Sequence, residues 1–345
     1  MNHRYGRHRS KAGRKALILR LAFLVCVILL LLIAIWYIGS RIERGTNAQE
    51  NRGDIAERFV DEEIVEYSDA RYSRRKRQTS ILFMGIDQRD DQVLSGVGYR
   101  NGGQADFLLL LVVDDDEKRV TPIQIDRDTM TAITVLGVLG NPSGTRNAQI
   151  CLSHGFGDGG AQSCEFTADA VSKLLLGVDI DFYVAMNMDG ISVLNDFLGC
   201  VTVTLEDDFS ALDPEMTEGT TLTLMGDQAE YYVRNRMGIG IGTNEARMAR
   251  QRSYMATAGE LFDAKIRENA NYVGDLYDEL EPYLITDMKR GRMINVAANC
   301  KQYDRVETIS LDGTHEVGKD GFMEFHADEA ALEALVMDLF YKPVE

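Results

Sequence analysis

Two uninterrupted apolar runs of strand length constrain the fold of this chain most strongly. Residues 80–86 read SILFMGI, and residues 107–113 read FLLLLVV. A strand with one face in water alternates apolar and polar residues, whereas a strand covered on both faces is apolar throughout. The two runs therefore predict neighbouring strands of a sheet that is buried on both sides.

The rest of the chain alternates between strand-like and helix-like patterns. Further strands are predicted at residues 120–125, 182–186, 200–205 and 305–310. Helices are predicted at residues 167–176, 189–197, 272–284, 290–299 and 328–340, and a longer helix ends near residue 268. This alternation predicts a layered α/β/α domain with a central mixed sheet. Its core spans residues 79–268, and residues 269–345 complete the same domain.

The N-terminus predicts a membrane anchor. Residues 1–20 contain seven Lys and Arg residues and no acidic residue, and residues 21–38 are uninterruptedly apolar. About 20 apolar residues span a bilayer, and basic flanks stay in the cytoplasm. We predict a cytoplasmic tail, a transmembrane signal anchor over residues 21–39 and an extracellular remainder in a single-pass membrane protein. A cleaved signal peptide is the alternative. Residues 40–78, which are highly charged with a weak helical stripe, are predicted to be a stalk.

The acidic charge of the chain limits its partners, and its cysteines limit the possible disulfides and metal sites. The 54 acidic residues outnumber the 37 basic ones, so nucleic acid is a poor partner for this chain. Cys151, Cys164, Cys200 and Cys300 follow the anchor and allow up to two disulfides, of which Cys151–Cys164 is the first to test. The chain has no CxxC or histidine-rich spacing of the kind that indicates zinc.

An arginine-rich stretch runs against the acidic background. Residues 231–255 read YYVRNRMGIGIGTNEARMARQRSYM. If its first part is extended, Arg234 and Arg236 project from the same face. The helix expected to follow, which Thr243 or Asn244 can cap, would place three residues on one face at positions i, i+3 and i+4: Arg247, Arg250 and Gln251. Converging guanidinium groups suit a diphosphate, so the stretch predicts an anion site.

Acidic residues stand at the ends of the predicted strands. Asp87 directly follows the first apolar run, Asp106 precedes the second, and Asp126 and Asp128 follow the third strand. Carboxylates that converge at strand ends bind hard divalent cations, and magnesium commonly bridges them to phosphates. Together with the arginines, these residues predict a metal-diphosphate site.

Five short motifs occur in a characteristic order: GIDQR, QAD before an apolar strand, DRDT, YYVRNR and RMARQ. Over roughly residues 79–265 this order resembles the LytR-CpsA-Psr domain of Gram-positive cell envelopes. The resemblance implies a membrane-anchored phosphotransferase that moves a glycopolymer, such as teichoic acid or capsule, from undecaprenyl pyrophosphate to peptidoglycan. It would act as a pyrophosphatase where no acceptor is present. The alternative is a non-enzymatic sensor or scaffold that binds anionic wall polymer or polyprenyl phosphate lipid.

The resemblance also implies roles for individual residues. Asp87 and Asp106 would bind the magnesium ion that bridges the pyrophosphate. The residues that would hold the pyrophosphate oxygens are Arg89, Arg127, Arg234, Arg236, Arg247 and Gln251. Arg250 stands at the arginine of the family's Arg-Gln pair and joins the predicted pyrophosphate site. Among these, Arg127, Arg234 and Arg236 are predicted to be catalytic, and Asp128 is our candidate for the base that deprotonates the acceptor hydroxyl.

Four positions depart from the family's pattern. Gln104 replaces an arginine, Asp126 a proline and Asn244 an aspartate, and Cys151 lies in a loop that commonly reads Lys-Ile-Asn. An altered substrate, an unusual branch or reduced activity would each explain these changes.

An isoprenoid ligand also needs an apolar groove, for which residues 108–113 or the leucines at 174–176 are the candidates.

Overall fold

The structure is a computed structural model that describes residues 64–89, 103–137, 140–269 and 271–344. The predicted cytoplasmic tail, the signal anchor and most of the stalk lie outside these ranges. Within them, no helix has both the length and the apolar character that a bilayer crossing requires.

The strands have the following bounds, in chain order: β1 (Ile64–Tyr67), β2 (Ala70–Arg74), β3 (Gln78–Ile86), β4 (Ala105–Asp114), β5 (Arg119–Ile125), β6 (Met130–Leu136), β7 (Pro142–Gln149), β8 (Phe182–Asn187), β9 (Thr202–Thr204), β10 (Thr221–Thr223), β11 (Leu284–Thr286), β12 (Asp304–Arg305), β13 (Ile309–Ser310), β14 (Gly313–Val317), β15 (Met323–Ala327) and β16 (Tyr341–Pro343). The helices are α1 (Leu152–Gly155), α2 (Ala161–Leu174), α3 (Asp189–Leu198), α4 (Asp227–Arg234), α5 (Asn244–Glu268), α6 (Tyr272–Leu280), α7 (Arg290–Cys300) and α8 (Glu329–Phe340).

The central sheet has the strand order β11-β8-β3-β4-β5-β12, and β13 also pairs with β5. Strand β3 runs parallel to β8 and antiparallel to β4, which in turn runs antiparallel to β5. The prediction of an α/β fold with a central mixed sheet is confirmed. Because β11, β12 and β13 come from the C-terminal part of the chain, that part completes the sheet.

Both faces of the central sheet are buried, as the two apolar runs predict. On one face, Ile81 of β3 belongs to a cluster that includes Met293 and Val296 of α7. On the other face, Leu82 of β3 and Leu110 of β4 are fully buried. Since side chains alternate along a strand, successive residues of β3 and β4 contact different layers of the domain.

The end of β3 and the start of β4 bring two acidic residues together. Ile86 pairs with Ala105 just after a shift in register, which marks a bulge at this end of the strand pair. The backbone N–H of Asp87 donates to the carbonyl of Gln104 at 2.8 Å. Asp87 and Asp106 therefore lie next to each other, at the same end of the two central strands β3 and β4.

The first part of the arginine-rich stretch is helical, so the prediction of an extended segment was wrong. Arg234 is the last residue of α4, and Arg236 lies in the loop that follows it. Aromatic and β-branched residues favour strands, which is why residues 231–233 looked extended. Packing decides otherwise, because Ala229 and Tyr232 of α4 are buried in a core cluster.

Part of the expected stalk belongs to the folded domain. Residues 64–67 and 70–74 pair as the hairpin β1–β2, and β2 also pairs with β16 near the C-terminus. Ser68 and Asp69 connect the two strands with φ values of 48° and 63°. Two successive positive φ values are typical of the tight turn that fits the twist of a two-stranded hairpin.

Candidate functional site

An apolar cavity of about 350 Å³ lies between the central sheet and helices α3, α5 and α6. Its apolar wall is formed mainly by Phe83, Phe107, Leu109, Val184, Met186, Ile191, Leu194, Val233, Tyr254, Met255, Leu276, Leu280 and Met293. The volume lies in the range of small-molecule sites. Because the ligand's apolar surface would be removed from water, such a wall favours a hydrocarbon chain.

The cavity lies beside one of the two segments that we considered for an apolar groove. Leu109 of β4 lines it, while Leu108 and Leu110 face the other side of the sheet and are fully buried. The leucines at 174–176 do not line the cavity and are at most 6% exposed. They belong to the core.

The polar residues of the cavity come from one edge of the sheet and from the helices next to it. Asp87 follows β3, Asp106 lies near the start of β4, and Asn187 pairs with Ile86 at the end of β8. Arg234 at the end of α4 and two residues of α5 complete the group: Arg247 and Gln251. The cavity therefore combines an apolar wall with a charged end.

Asp106 is held by two arginines. Arg127 Nη1 donates to Oδ1 at 2.5 Å, and Arg247 Nη1 donates to Oδ2 at 3.0 Å. Arg247 also reaches the backbone carbonyl of Asp106 at 3.4 Å. Two guanidinium groups therefore converge on this one carboxylate, and guanidinium groups are donors that suit an anionic ligand.

The guanidinium group of Arg127 is fixed by residues at two of the departures from the family pattern. Its Nη2 donates to Gln104 Oε1 and contacts Cys151 Sγ at 3.1 Å. Burial raises the pKa of Cys151 to about 12, although the charge of Arg127 opposes this shift. At neutral pH this residue is therefore a neutral thiol.

Asp128 is a buried carboxylate with one unpaired oxygen. Its Oδ1 lies 3.3 Å from Nε of Arg127, and its Oδ2 has no hydrogen-bond partner among the described residues. Burial raises the pKa of Asp128, and the positive charges of Arg127, Arg236 and Arg247 only partly offset this effect. The shift is in the direction that makes a carboxylate a better proton acceptor.

Arg234 and Arg89 share a buried glutamate that the sequence analysis missed. Arg234 Nη2 donates to Asp87 Oδ1 at 3.1 Å, and its Nη1 lies 3.5 Å from Glu230 Oε1. Arg89 binds the same oxygen of Glu230 at 2.5 Å and Asp189 at 2.8 Å. Glu230 and Arg234 are four residues apart on α4, so assigning this segment as helical would have revealed the pair.

The side chain of Arg236 has no partner among the described residues, so it is available to a ligand. Its side chain makes no hydrogen bond or ion pair with any of them. Its charge opposes the rise that burial causes in the pKa of Asp128, and it adds to the lowering that burial causes in the pKa of Arg247. The structure therefore places Arg236 close to the other charged residues of the site, although it lies in a loop and not on a strand.

Arg250 is separated from the cavity, unlike Arg247 and Gln251. It is 2% exposed, and its guanidinium group binds Asp207 at 2.7 Å and the carbonyl oxygens of Tyr232 and Asn235. It also lies 5.3 Å above the ring of Phe209. The guanidinium group of Arg250 is therefore bound by other protein groups. The structure gives Arg250 a packing role and does not place it in the predicted pyrophosphate site.

Gln251 does line the cavity. Its Nε2 donates to the carbonyl of Val233 at 3.0 Å, and its Oε1 accepts from Gln124 at 3.1 Å. The side chain therefore links α5 to the end of α4 and to β5.

The four cysteines of the folded domain are free. Cys151, Cys164 and Cys300 are buried, and Cys200 is half-buried. The Cys151–Cys164 disulfide that we considered is not formed. Cys164 instead lies 3.7 Å from Nε2 of His154.

Asp87 and Asp106 fit the magnesium site that the sequence predicted. Both line the cavity and come from adjacent strand ends. Each carboxylate is paired with arginine, but a carboxylate oxygen that accepts one N–H retains a second lone pair for a cation. Two carboxylates together with phosphate oxygens form a donor set that magnesium accepts.

The cavity thus combines an apolar wall with an end that carries carboxylates and arginines. The chain belongs to the LytR-CpsA-Psr family, whose model matches residues 43–340. This match extends beyond the residues that first suggested the resemblance and includes the C-terminal part of the chain.

Individual relatives agree with the family assignment. The chain is 29% identical over 240 residues to the polyisoprenyl-teichoic acid–peptidoglycan teichoic acid transferase TagU of Halalkalibacterium halodurans, covering 68% of this chain and 69% of that protein. It is 27% identical over 271 residues to TagU of Bacillus subtilis, covering 77% and 78%. The fold is similar to the crystal structure of protein gbs0355 from Streptococcus agalactiae, with a TM-score of 0.60, 20% identity and coverage of 76% and 86%.

Proposed function

We propose that this protein transfers a glycopolymer from a polyprenyl-pyrophosphate carrier to peptidoglycan. The observation that carries the proposal is the cavity, whose apolar wall ends at Asp87, Asp106, Arg234 and Arg247. An isoprenoid tail matches the apolar wall, and a diphosphate matches the arginines at its charged end. The names of the two TagU relatives support teichoic acid as the class of polymer and peptidoglycan as the acceptor.

The arginines supply charge neutralisation. The Nε atom of Arg247 is buried and lacks a hydrogen-bond partner among the described residues, whereas Nε of Arg127 lies 3.3 Å from Oδ1 of Asp128. Buried N–H groups are rarely left unpaired, so such a donor at a site suggests that a ligand accepts from it. Arg236 adds a third guanidinium group. Phosphoryl transfer depends mainly on positioning and on charge stabilisation, which these three residues would provide.

The transfer step needs an acceptor for one proton. The acceptor hydroxyl of peptidoglycan would attack the phosphorus that carries the polymer, and a new P–O bond would form. The bridging P–O–P bond would break, and polyprenyl phosphate would leave. Asp128 would accept the hydroxyl proton, because its Oδ2 is unpaired and burial raises its pKa.

A magnesium ion would be held by Asp87 and Asp106. When bound, it would supply positive charge to the diphosphate oxygens. Arg234 and Arg247 contact these same carboxylates, so they would keep the two side chains oriented toward the cavity. We also propose that residues 21–39 tether the protein to the cell membrane, with the described domain outside the cell, because the carrier is a membrane lipid.

We expect Asp87→Asn to lower the transfer rate at least about tenfold, since an amide oxygen carries no net charge for a cation. Removal of magnesium with a chelator should reduce the wild-type rate at least as much. The measurement is the amount of polymer that becomes covalently attached to peptidoglycan when the full chain, the lipid-linked polymer and magnesium are combined.

The matched control is Asp278→Asn, which makes the same chemical change at an exposed ion pair with Arg290. This variant should transfer polymer at the wild-type rate. If Asp87→Asn and the chelated wild-type protein both retain full activity, the assignment of the magnesium site is wrong. If the wild-type chain binds the lipid but never transfers the polymer, the protein is a sensor or scaffold instead.

A further inference from the structure

His315 connects a C-terminal hairpin to the arginine cluster. It lies on β14, and its Nε2 is 2.9 Å from Oδ2 of Asp126, a residue 189 positions earlier in the chain. Its other ring nitrogen, Nδ1, is 3.1 Å from Oε1 of Glu245, near the start of α5. The imidazole ring therefore lies between two carboxylates that belong to different elements of the core.

Asp126 is the second member of this connection. It is 4% exposed, so its carboxylate depends on protein donors in place of water. Its Oδ1 accepts from the backbone N–H of Asp128 and from Nδ2 of Asn244, both at 2.8 Å. A single carboxylate thus fixes the backbone beside Arg127 and the side chain of Asn244.

Asn244 passes the connection to Arg247. Its Oδ1 accepts from Arg247 Nη2 at 2.7 Å, while Arg247 Nη1 binds Asp106 at 3.0 Å. The cap of α5 is Thr243, whose hydroxyl accepts from the N–H of Ala246, so the side chain of Asn244 is not needed there. The contacts therefore run without a break from His315 to the carboxylate of Asp106.

The hairpin is also attached, through its second strand, to the segment that contains Arg127 and Asp128. The ring of Phe325 on β15 packs against His315 with centroids 4.7 Å apart, and it is 5% exposed. The N–H of Phe325 donates to the carbonyl of Asp128 at 2.9 Å, and Phe325 pairs with Thr129. The position of His315 is therefore fixed relative to the segment that carries Arg127 and Asp128.

We propose that His315 is a positioning residue for the transfer reaction. It holds Asp126, which orients the guanidinium group of Arg247 through Asn244. The inference rests on the proposed function, because Arg247 matters only if the site binds a diphosphate. The orientation of Arg247 itself can nevertheless be measured without any turnover.

The first measurement is the rate at which phenylglyoxal modifies Arg247 in the full chain in detergent, followed by mass spectrometry of peptides. Arg247 is 3% exposed, which protects it in the wild-type protein. In His315→Ala we expect modification about fivefold faster, the effect of losing one hydrogen bond that holds the group in place. His315→Gln keeps an N–H donor near Asp126 and should show a smaller increase.

His326→Ala is the matched control. His326 lies on β15 of the same hairpin, but its Nε2 contacts Glu316 and Glu324 and not the arginine cluster. Arg247 should be modified at the wild-type rate in this variant. Thermal unfolding followed by circular dichroism establishes that each variant is folded. If His315→Ala does not fold, the rate of Arg247 modification in His315→Gln is compared with that in His326→Ala, and a faster rate in His315→Gln supports the positioning role.

The second measurement is turnover of the lipid-linked donor. A displacement of about 1 Å in a catalytic group can cost about 100-fold in rate, so we expect kcat to fall about tenfold in His315→Ala. KM for the donor should change less than kcat, because His315 itself does not line the cavity and acts only through Arg247. His315→Gln should recover part of the loss.

Equal rates of Arg247 modification in the wild-type protein and in folded His315 variants would overturn the positioning role. A wild-type protein without any turnover would instead contradict the proposed function. In that case, the modification rates would still show whether His315 orients Arg247, so the two failures are distinguishable.

Discussion

Replacing Arg247 with alanine is expected to lower the rate of polymer transfer by about 100-fold or more, as is typical when one preorganised donor to a developing negative charge is removed. Arg247 binds Asp106 through Nη1, and its buried Nε is unpaired among the described residues. The substitution therefore removes a cation from the proposed diphosphate site and frees one oxygen of a proposed magnesium ligand. The readout is the amount of peptidoglycan-bound polymer formed per minute by the full chain.

The control for Arg247→Ala lies on the same helix. Arg252 contacts Gln124 and Ser310 and does not line the cavity, so Arg252→Ala should retain the wild-type rate. Arg247→Lys keeps the charge but not the forked donor geometry, and we expect an intermediate rate. Wild-type turnover by Arg247→Ala would show that this arginine does not act on the diphosphate.

Arg250→Ala is expected to affect stability, lowering the free energy of unfolding by about 3 kcal/mol, as when one partner of a buried ion pair is removed. The substitution leaves the carboxylate of Asp207 without its cation, and it removes the donor to the carbonyls of Tyr232 and Asn235. The loop between α4 and α5 also packs closely against Asp207, because a Cβ atom at Gly240 would lie 2.0 Å from Oδ1 of Asp207. Urea-induced unfolding followed by circular dichroism measures the change.

The control for Arg250→Ala is an exposed arginine with a comparable partner. Arg290 forms two hydrogen bonds with Asp278 at the surface, where such pairs often contribute nothing measurable. Arg290→Ala should therefore unfold like the wild-type protein. An Arg250→Ala variant that keeps full stability but loses transfer would instead place Arg250 in the pyrophosphate site, as the sequence predicted.

The contrast between Arg250 and Gln251 shows what a sequence motif leaves open. The two residues lie about 100° apart around the helix axis, on either side of the direction of Arg247. The sequence alone does not show where the cavity lies along that arc. In the structure Gln251 faces the cavity, while Arg250 faces Asp207 and Phe209.

The sequence predicted the elements with strong local patterns. The apolar runs became β3 and β4, and the pattern at residues 189–197 became α3. The long helix was predicted to end near residue 268, where α5 ends. In each of these elements local preference and burial agree, so a pattern of hydrophobic residues was sufficient.

The missed elements have weaker or conflicting patterns. The hairpin β6–β7 contains a period-two segment, because Thr131 and Ile133 are buried while their neighbours are less so. Residues 140–144, GNPSG, give a turn signal close to it, so this hairpin was detectable. Strand β14 of the second hairpin is largely exposed, and the contact of β14–β15 with the core through His315 and Phe325 is set by tertiary structure.

The departures from the family pattern were visible in the sequence, but their partners were not. Gln104 and Cys151 both contact Arg127, and Asn244 joins Asp126 to Arg247. These residues therefore belong to the network that holds the arginines. Without coordinates, an altered substrate or a loss of activity was an equally good interpretation of the same changes.

Mass spectrometry of lipid extracted from the purified full chain tests most directly whether the cavity holds an isoprenoid carrier. We expect a polyprenyl phosphate or pyrophosphate in the wild-type preparation and its loss in Leu194→Asp, which places a charge on the cavity wall. Leu212→Asp, on an exposed loop outside the cavity, should retain the lipid. Wild-type protein without such a lipid, or equal amounts in folded Leu194→Asp, would contradict the assignment of the cavity.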